Sequence, residues 1–217
     1  MEKFLLFWIY SLTFTSGMLN SIAVIFFSIT VSHFTGTISN LAHAIANLNF
    51  NLAFTFLGLI FLFFLGSFIS GFFTNERNFN LQKRYGGILI LIGLTLIILT
   101  FIFSSATRGL VLSLPLILGV QNGLMLGYKG VIVRTTHMSG NITDFGAYMG
   151  HYLRGNKDDL RKALYSFWNI IFFILGGIVG TLSYSKFRYN FFNIIGVFYI
   201  FLGTFYFFIR TKFHKKS

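Results

Sequence analysis

Six stretches of about 20 mostly apolar residues run through this chain of 217, each long enough to cross a bilayer as a helix. They cover about 4–30, 53–74, 86–105, 109–128, 163–184 and 190–209. Polar segments separate them, most clearly 75–84 and 154–162, and a basic tail runs from Arg210 to Lys216. Charge is too sparse for a soluble surface: 10% of the residues are charged, against roughly 25% in an ordinary soluble domain. With 55% hydrophobic residues and 31 Phe, lipid must cover what water does not. No stretch leaves room for a soluble domain. The expectation is one all-α, polytopic transmembrane domain over 1–217.

The net charge of +12 is not the mark of a nucleic-acid partner. A nucleic-acid binder presents a contiguous basic face on a folded domain. Here Lys and Arg sit in short clusters between apolar runs, where they flank membrane spans. Six spans leave only Arg108, Lys186 and Arg188 on one side and the other 14 basic residues on the opposite side. Counting 33–51 and 137–153 as further spans would spread the 17 as 10 and 7. The positive-inside rule selects six spans, with both termini cytoplasmic. The start, Met1-Glu2-Lys3 before a long apolar run, lacks an A-x-A-type cleavage site and reads as an uncleaved first span. Cysteine is absent, which excludes disulfides, thiolate catalysis and Cys-ligated metals, and no cofactor is implied.

The segments 33–51 and 137–153 are apolar on one side only. Ile38, Leu41, Ala42 and Ile45 recur at helical spacing in the first, and Ile142, Phe145, Gly146 and Met149 in the second. Both read as short amphipathic helices, interfacial or re-entrant. They also carry an internal repeat. His33-Phe-Thr-Gly-Thr-Ile-Ser-Asn-Leu41 aligns with His137-Met-Ser-Gly-Asn-Ile-Thr-Asp-Phe145. Upstream, Gly17-Met-Leu-Asn20 aligns with Gly119-Val-Gln-Asn122. Downstream, Leu65-Gly66-Ser67 aligns with Leu175-Gly176-Gly177. The blocks keep their order, which divides the chain into repeat 1 (about 1–106) and repeat 2 (about 107–217). Three spans per repeat, an odd number, require the second copy to be inverted in the membrane.

Val133-Arg-Thr-Thr-His-Met-Ser-Gly-Asn-Ile-Thr-Asp-Phe-Gly146, preceded by Gly119-Val-Gln-Asn-Gly123, resembles the YoaK family of bacterial membrane proteins, a domain of unknown function. The resemblance covers almost the whole chain. In the first half the family pattern is G-x-x-D followed by F-x-x-x-T-G-N. This chain departs from it with Asn20 at the acidic position and Thr37 at the final Asn. The resemblance implies a bacterial inner-membrane location and supplies no activity.

The polar blocks carry the functional reading. Gly permits close backbone approach, Ser39 or Thr143 and Asn40 or Asp144 are suited to cap a helix, and a helix N-terminus offers partial positive charge with free N–H groups. Two such ends from inverted repeats would make a site for a polar or anionic solute. The expectation is a small-solute transporter or channel with substrate-binding residues Asn20, His33, Thr35, Asn40, Asn122, His137, Ser139 and Asp144. Asp144 is the one acid in either block, and an intramembrane acid is functional by default. The bland readings stay open beside this one: the blocks as interfacial turns, Asp144 as a solvated cap, Asn20 and Asn122 as an interhelical clamp. A structural or regulatory membrane protein is the alternative function. Gly176-x-x-x-Gly180 and Ser67-x-x-x-Gly71 read as packing motifs. His33, His43 and His137 lack the spacing of a metal site. No G-x-S-x-G or H-E-x-x-H is present, so no enzyme is expected. The partners expected are the lipid bilayer, an unidentified small solute or ion, and a second copy of the chain as a homodimer.

Overall fold

A computed structural model describes residues 2–74, 83–103, 107–124, 126–128, 131–133 and 135–214. The polar segment over 75–82, the repeat boundary near 106, Arg134 and the last basic residues lie outside the described residues. Among those described, the chain forms eight helices and one short hairpin. They are α1 (Glu2–Phe27), α2 (Phe34–Ala46), α3 (Phe50–Phe73), α4 (Lys83–Ile102), α5 (Thr107–Gly123), β1 (Leu126–Tyr128), β2 (Val131–Val133), α6 (Met138–Leu153), α7 (Asp159–Phe187) and α8 (Asn190–His214).

Five of these, α1, α3, α4, α7 and α8, contain segments long and apolar enough to cross a membrane. Their outward faces point to a multi-pass membrane protein. On α3, Phe54, Phe61, Phe64, Phe68 and Phe72 are all exposed, a surface that water would not tolerate at this density. α1 is the most buried of the five and α3 the least.

The span expected over 109–128 is corrected. Helix α5 ends at Gly123, and residues 126–128 pair with 131–133 as an antiparallel hairpin, Leu126 opposite Val133. Gly123, Gly127 and Gly130 are poor helix formers, while Val131, Ile132 and Val133 favour strands. At 17 residues α5 is about 25 Å long. The segment 33–51 is not one helix either. α2 stops at Ala46, Leu48 takes left-handed backbone (φ 55°), and Asn49 caps α3 by accepting from Leu52 N at 3.2 Å. The second amphipathic segment, 137–153, forms α6 almost to the residue.

Glycine sets how the helices pair. An added Cβ on Gly17 would collide with the Phe173 carbonyl, and one on Gly176 with the Phe14 carbonyl, so α1 and α7 meet backbone to backbone. In the same way Gly119 lies against the Phe63 carbonyl and Gly66 against the Leu116 carbonyl, joining α5 to α3. In both seams the two helices run the same way. The partners correspond by fixed offsets: 102 from Gly17 to Gly119 and from Phe14 to Leu116, 110 from Phe63 to Phe173 and from Gly66 to Gly176. α4 and α8 run in opposite directions through Gly86 against Gly203 and Gly93 against Gly196. Side-chain hydrogen bonds also clamp helix to helix. Trp8 Nε1 donates to Leu202 O at 3.1 Å, and Thr13 Oγ1 to Asn169 Oδ1 at 2.8 Å.

Candidate functional site where two short helices meet

α1 ends abruptly. Ser28 takes left-handed backbone (φ 54°) while its N–H still reaches Val24 O at 2.9 Å, and the chain folds back along the helix it has just left. By Val31 and Ser32 it is level with Asn20, about 10 Å below the end of α1. Asn20 holds it there. Its buried Oδ1 accepts from Val31 N and from Ser32 Oγ, both at 3.0 Å. A backbone that leaves helical geometry inside a bundle needs its N–H groups satisfied by protein, and Asn20 supplies that for Val31.

His33 then opens α2. Its ring packs edge-on against Phe173, the middle residue of α7, with centroids 5.5 Å apart. Phe34 packs against Phe63, near the middle of α3, at 4.5 Å. α2 therefore begins halfway along the long helices rather than at their ends. His33 Nδ1 lies 2.9 Å from Ser32 Oγ, and Nε2 accepts from the Met138 N–H at 3.2 Å. That N–H is the first of α6 and is shared with Thr136 O at 3.0 Å. The pattern selects a neutral imidazole. Ser32 Oγ spends its proton on Asn20, so Nδ1–H must donate to Ser32, leaving Nε2 as the acceptor. The N-terminus of α2 thus reaches across to the N-terminus of α6.

In the second half the chain leaves α5 through the hairpin and returns at Thr135 and Thr136, both buried. Here Gln121 does the holding. Its Nε2 donates to Thr135 Oγ1 and Ser16 Oγ, both at 2.8 Å, and lies 3.2 Å from Leu12 O. Its Oε1 accepts from the buried Tyr199 hydroxyl. One amide ties together α1, α5, α8 and the segment leading into α6. His137 opens α6, and its carbonyl accepts from both Asn141 N (3.1 Å) and Asn141 Nδ2 (3.2 Å). A Cβ on Gly140 would sit 2.7 Å from His137 Nδ1, so that position must be glycine for the imidazole to lie where it does.

Of the residues expected to form one site, Asn20, His33 and His137 converge at the junction of α2 and α6. Asn122 sits beside Gln121, with its Oδ1 buried and unpartnered. Thr35, Asn40 and Ser139 are exposed on the outer faces of α2 and α6, and Asp144 lies two turns into α6, half-buried. The capping roles expected for Ser39, Thr143, Asn40 and Asp144 are corrected, because the helices begin earlier, at Phe34 and Met138. Ser39 and Thr143 instead donate back to the Thr35 and Ser139 carbonyls at 3.1 and 3.0 Å.

Sequence reasoning missed Ser32, Thr37, Thr136, Gln121 and Tyr199. Ser32 and Thr136 stand one place before the aligned histidines, and extending that block by one residue would have paired them. Tyr199 has no such signal, since it pairs by offset with Leu89. Among the described residues no group of acids and histidines is arranged to hold a metal ion.

A family model described as a protein of unknown function, DUF1275, matches residues 8–206. The chain belongs to that family. No curated protein and no solved structure matches it. The DUF1275 match runs from α1 to α8 and takes in both short helices and their junction.

Proposed function

We propose that this DUF1275 protein carries small solutes across a membrane, at the junction where α2 and α6 meet end to end. The observation behind this reading is the contact of His33 Nε2 with the first N–H of α6, halfway along the long helices. Discontinuous helices whose N-termini converge near mid-membrane are the usual construction of a solute site.

The rest of the architecture supports the reading. With α5 as a short sixth span, the chain becomes two inverted halves, α1–α4 and α5–α8. The fixed offsets of the glycine seams support that division. Under it α1 corresponds to α5, α3 to α7 and α4 to α8. The α1–α7 seam then corresponds to the α5–α3 seam, and the α4–α8 seam to itself. α2 and α6, at about 20 and 24 Å, are then re-entrant helices, each running from the middle to one face. YoaK is a member of the same family, and the motif likeness fits a bacterial inner-membrane protein with both termini cytoplasmic. We read its partners as lipid, a small solute and, as a dimer, a second copy. We assign it no catalytic chemistry.

A structural or regulatory role is the second reading. The hydrogen-bonded closure of His33 on α6 and the Gln121 clamp favour it, since both resemble fixed joints. The test is thermal stabilisation of purified protein by a panel of ions, sugars, amino acids and organic acids. Wild type is compared with His33→Ala and Asp144→Asn. Stabilisation by a solute that is altered in His33→Ala, in either direction, supports a site at the junction, and an unaltered response in Asp144→Asn keeps the site away from the middle of α6. A panel without any response in wild type favours the joint and sinks the transport reading.

A further inference from the structure

The junction carries a feature that a fixed joint does not need. Thr136, fully buried, precedes the N-cap of α6, and its hydroxyl has no partner. Thr37, 1% exposed, stands one turn from His33 on the same face of α2, and its hydroxyl has none either. Unpaired hydroxyls at such burial cost about 1–3 kcal/mol each, so a fold tuned for rigidity alone would have Val at both positions.

The charge at this place is one-sided. Each helix N-terminus is equivalent to roughly half a positive charge. Two of them converge here, and neither α2 nor α6 has an acidic residue in its first turn to offset it. The nearest carboxylate along the chain is Asp144, two turns into α6. The His33 ring lies where an acceptor for the α6 N-terminus belongs, and it fills that place as a neutral acceptor. Among the described residues, Lys and Arg are also missing from α2, from α6 and from the segments 28–33 and 135–137 that lead into them. Helix ends with hydroxyl donors and no full charge among the described residues suit a single negative charge. A cation meets the wrong sign, and a divalent anion meets too little charge to repay its desolvation.

We propose that the junction of α2 and α6 binds and passes small monovalent anions, a halide or a short carboxylate, which take the place of His33 Nε2 at the α6 N-terminus and accept from Thr136 and Thr37. This rests on the transport reading and adds the class of solute to it. His33 then acts as a plug that swings aside, and Gly140 keeps the space that His137 occupies.

The experiment is flux into liposomes holding the purified full-length protein, followed by light scattering. The probes are potassium chloride, nitrate, formate and acetate with a potassium ionophore, potassium sulfate, glycerol, and sodium supplied with a permeant weak acid. The expected result is passage of the four monovalent anions well above empty liposomes, with sulfate, glycerol and sodium at the empty-liposome rate. Thr136→Val and Thr37→Val should each slow the anions about tenfold, the loss of one hydrogen bond to an ion, with melting temperatures unchanged or higher. Passage of glycerol or sodium with the anions at background overturns the anion assignment and leaves transport standing. No passage of any probe overturns transport and the anion site together. Anion flux undiminished in both Val variants overturns the placement at these hydroxyls.

Discussion

The approaches to α2 and α6 are built from corresponding residues and are satisfied differently. In the first, Asn20 Oδ1 takes the Val31 N–H and the Ser32 hydroxyl, and Ser32 passes the chain of hydrogen bonds on to His33. In the second, the counterpart Asn122 Oδ1 and the counterpart hydroxyl Thr136 Oγ1 are both buried and unpartnered, and Gln121 does the anchoring through Thr135. The repeat duplicates the backbone path, and the polar chemistry along it has diverged. The approach to α2 behaves as a finished joint. The approach to α6 keeps unspent hydrogen-bonding capacity, which a joint has no reason to keep and a binding site does.

The seams are where the halves should still be alike, and where the largest effects are expected. Gly66→Leu and Gly176→Leu each drive a side chain into a neighbouring helix's carbonyl, Leu116 or Phe14. Each should cost about 3 kcal/mol or more, seen as loss of folded protein in detergent and a much lower melting temperature. Gly58→Leu, on the same α3 but with open space around it, should change little. If Gly176→Leu unfolds the protein and Gly66→Leu does not, the two seams are not equivalent and the division into halves loses its main support.

The asparagines come next. Asn20→Leu strands the Val31 N–H and the Ser32 hydroxyl, a cost of about 1–3 kcal/mol. Asn122→Leu removes an oxygen that bonds to nothing, so it should be neutral or stabilising. Chemical unfolding of both in one detergent measures the difference. Equal losses would mean that Asn122 is a clamp after all.

That contrast marks what the amino-acid order made legible. The apolar runs announced five of the long helices, because lipid-facing and bundle-facing positions are both apolar and the length signal does not depend on which is which. The span expected over 109–128 overshoots α5 because residues 124–128 are as apolar as a helix end, and the signals against helix there are only Gly127 and the β-branched run that follows at 131–133. The nine-residue His block located the junction, since two polar segments that match in an apolar chain are unlike background. It did not locate the helix starts. Ser39, Asn40, Thr143 and Asp144 are good caps by type, but capping depends on where the chain turns, and Asn20 and Gln121 decide that from another helix. Partners distant in sequence, such as Gln121 with Tyr199, leave no periodic trace.

A smaller effect sharpens the comparison at the first turn of each short helix. Gly140→Ala puts a Cβ 2.7 Å from His137 Nδ1 and forces that ring to move, at a cost of about 1 kcal/mol. Gly36→Ala meets nothing within 4 Å, so it should gain up to about 1 kcal/mol from better helix propensity. Opposite signs in thermal unfolding would support the unequal halves. Equal signs would mean that His137 is free to shift and that Gly140 guards no space.

The smallest expected effect separates two accounts of the same residues. Ser39 and Thr143 are exposed, and each hydroxyl donates only to the carbonyl one turn back. Were they N-caps, removing the hydroxyl would cost about 1 kcal/mol. As mid-helix residues, Ser39→Ala and Thr143→Val should stay within about 0.5 kcal/mol of wild type in unfolding measurements. Stability is then the control, and flux is the reading. If either variant passes solute at a changed rate while melting like wild type, the outer faces of α2 and α6 line the path, and the site extends outward from the junction along both short helices. If flux is also unchanged, the path is confined to the inner face, where Thr37 and Thr136 lie, and the exposed polar residues of the repeat serve only the contact of these helices with their surroundings.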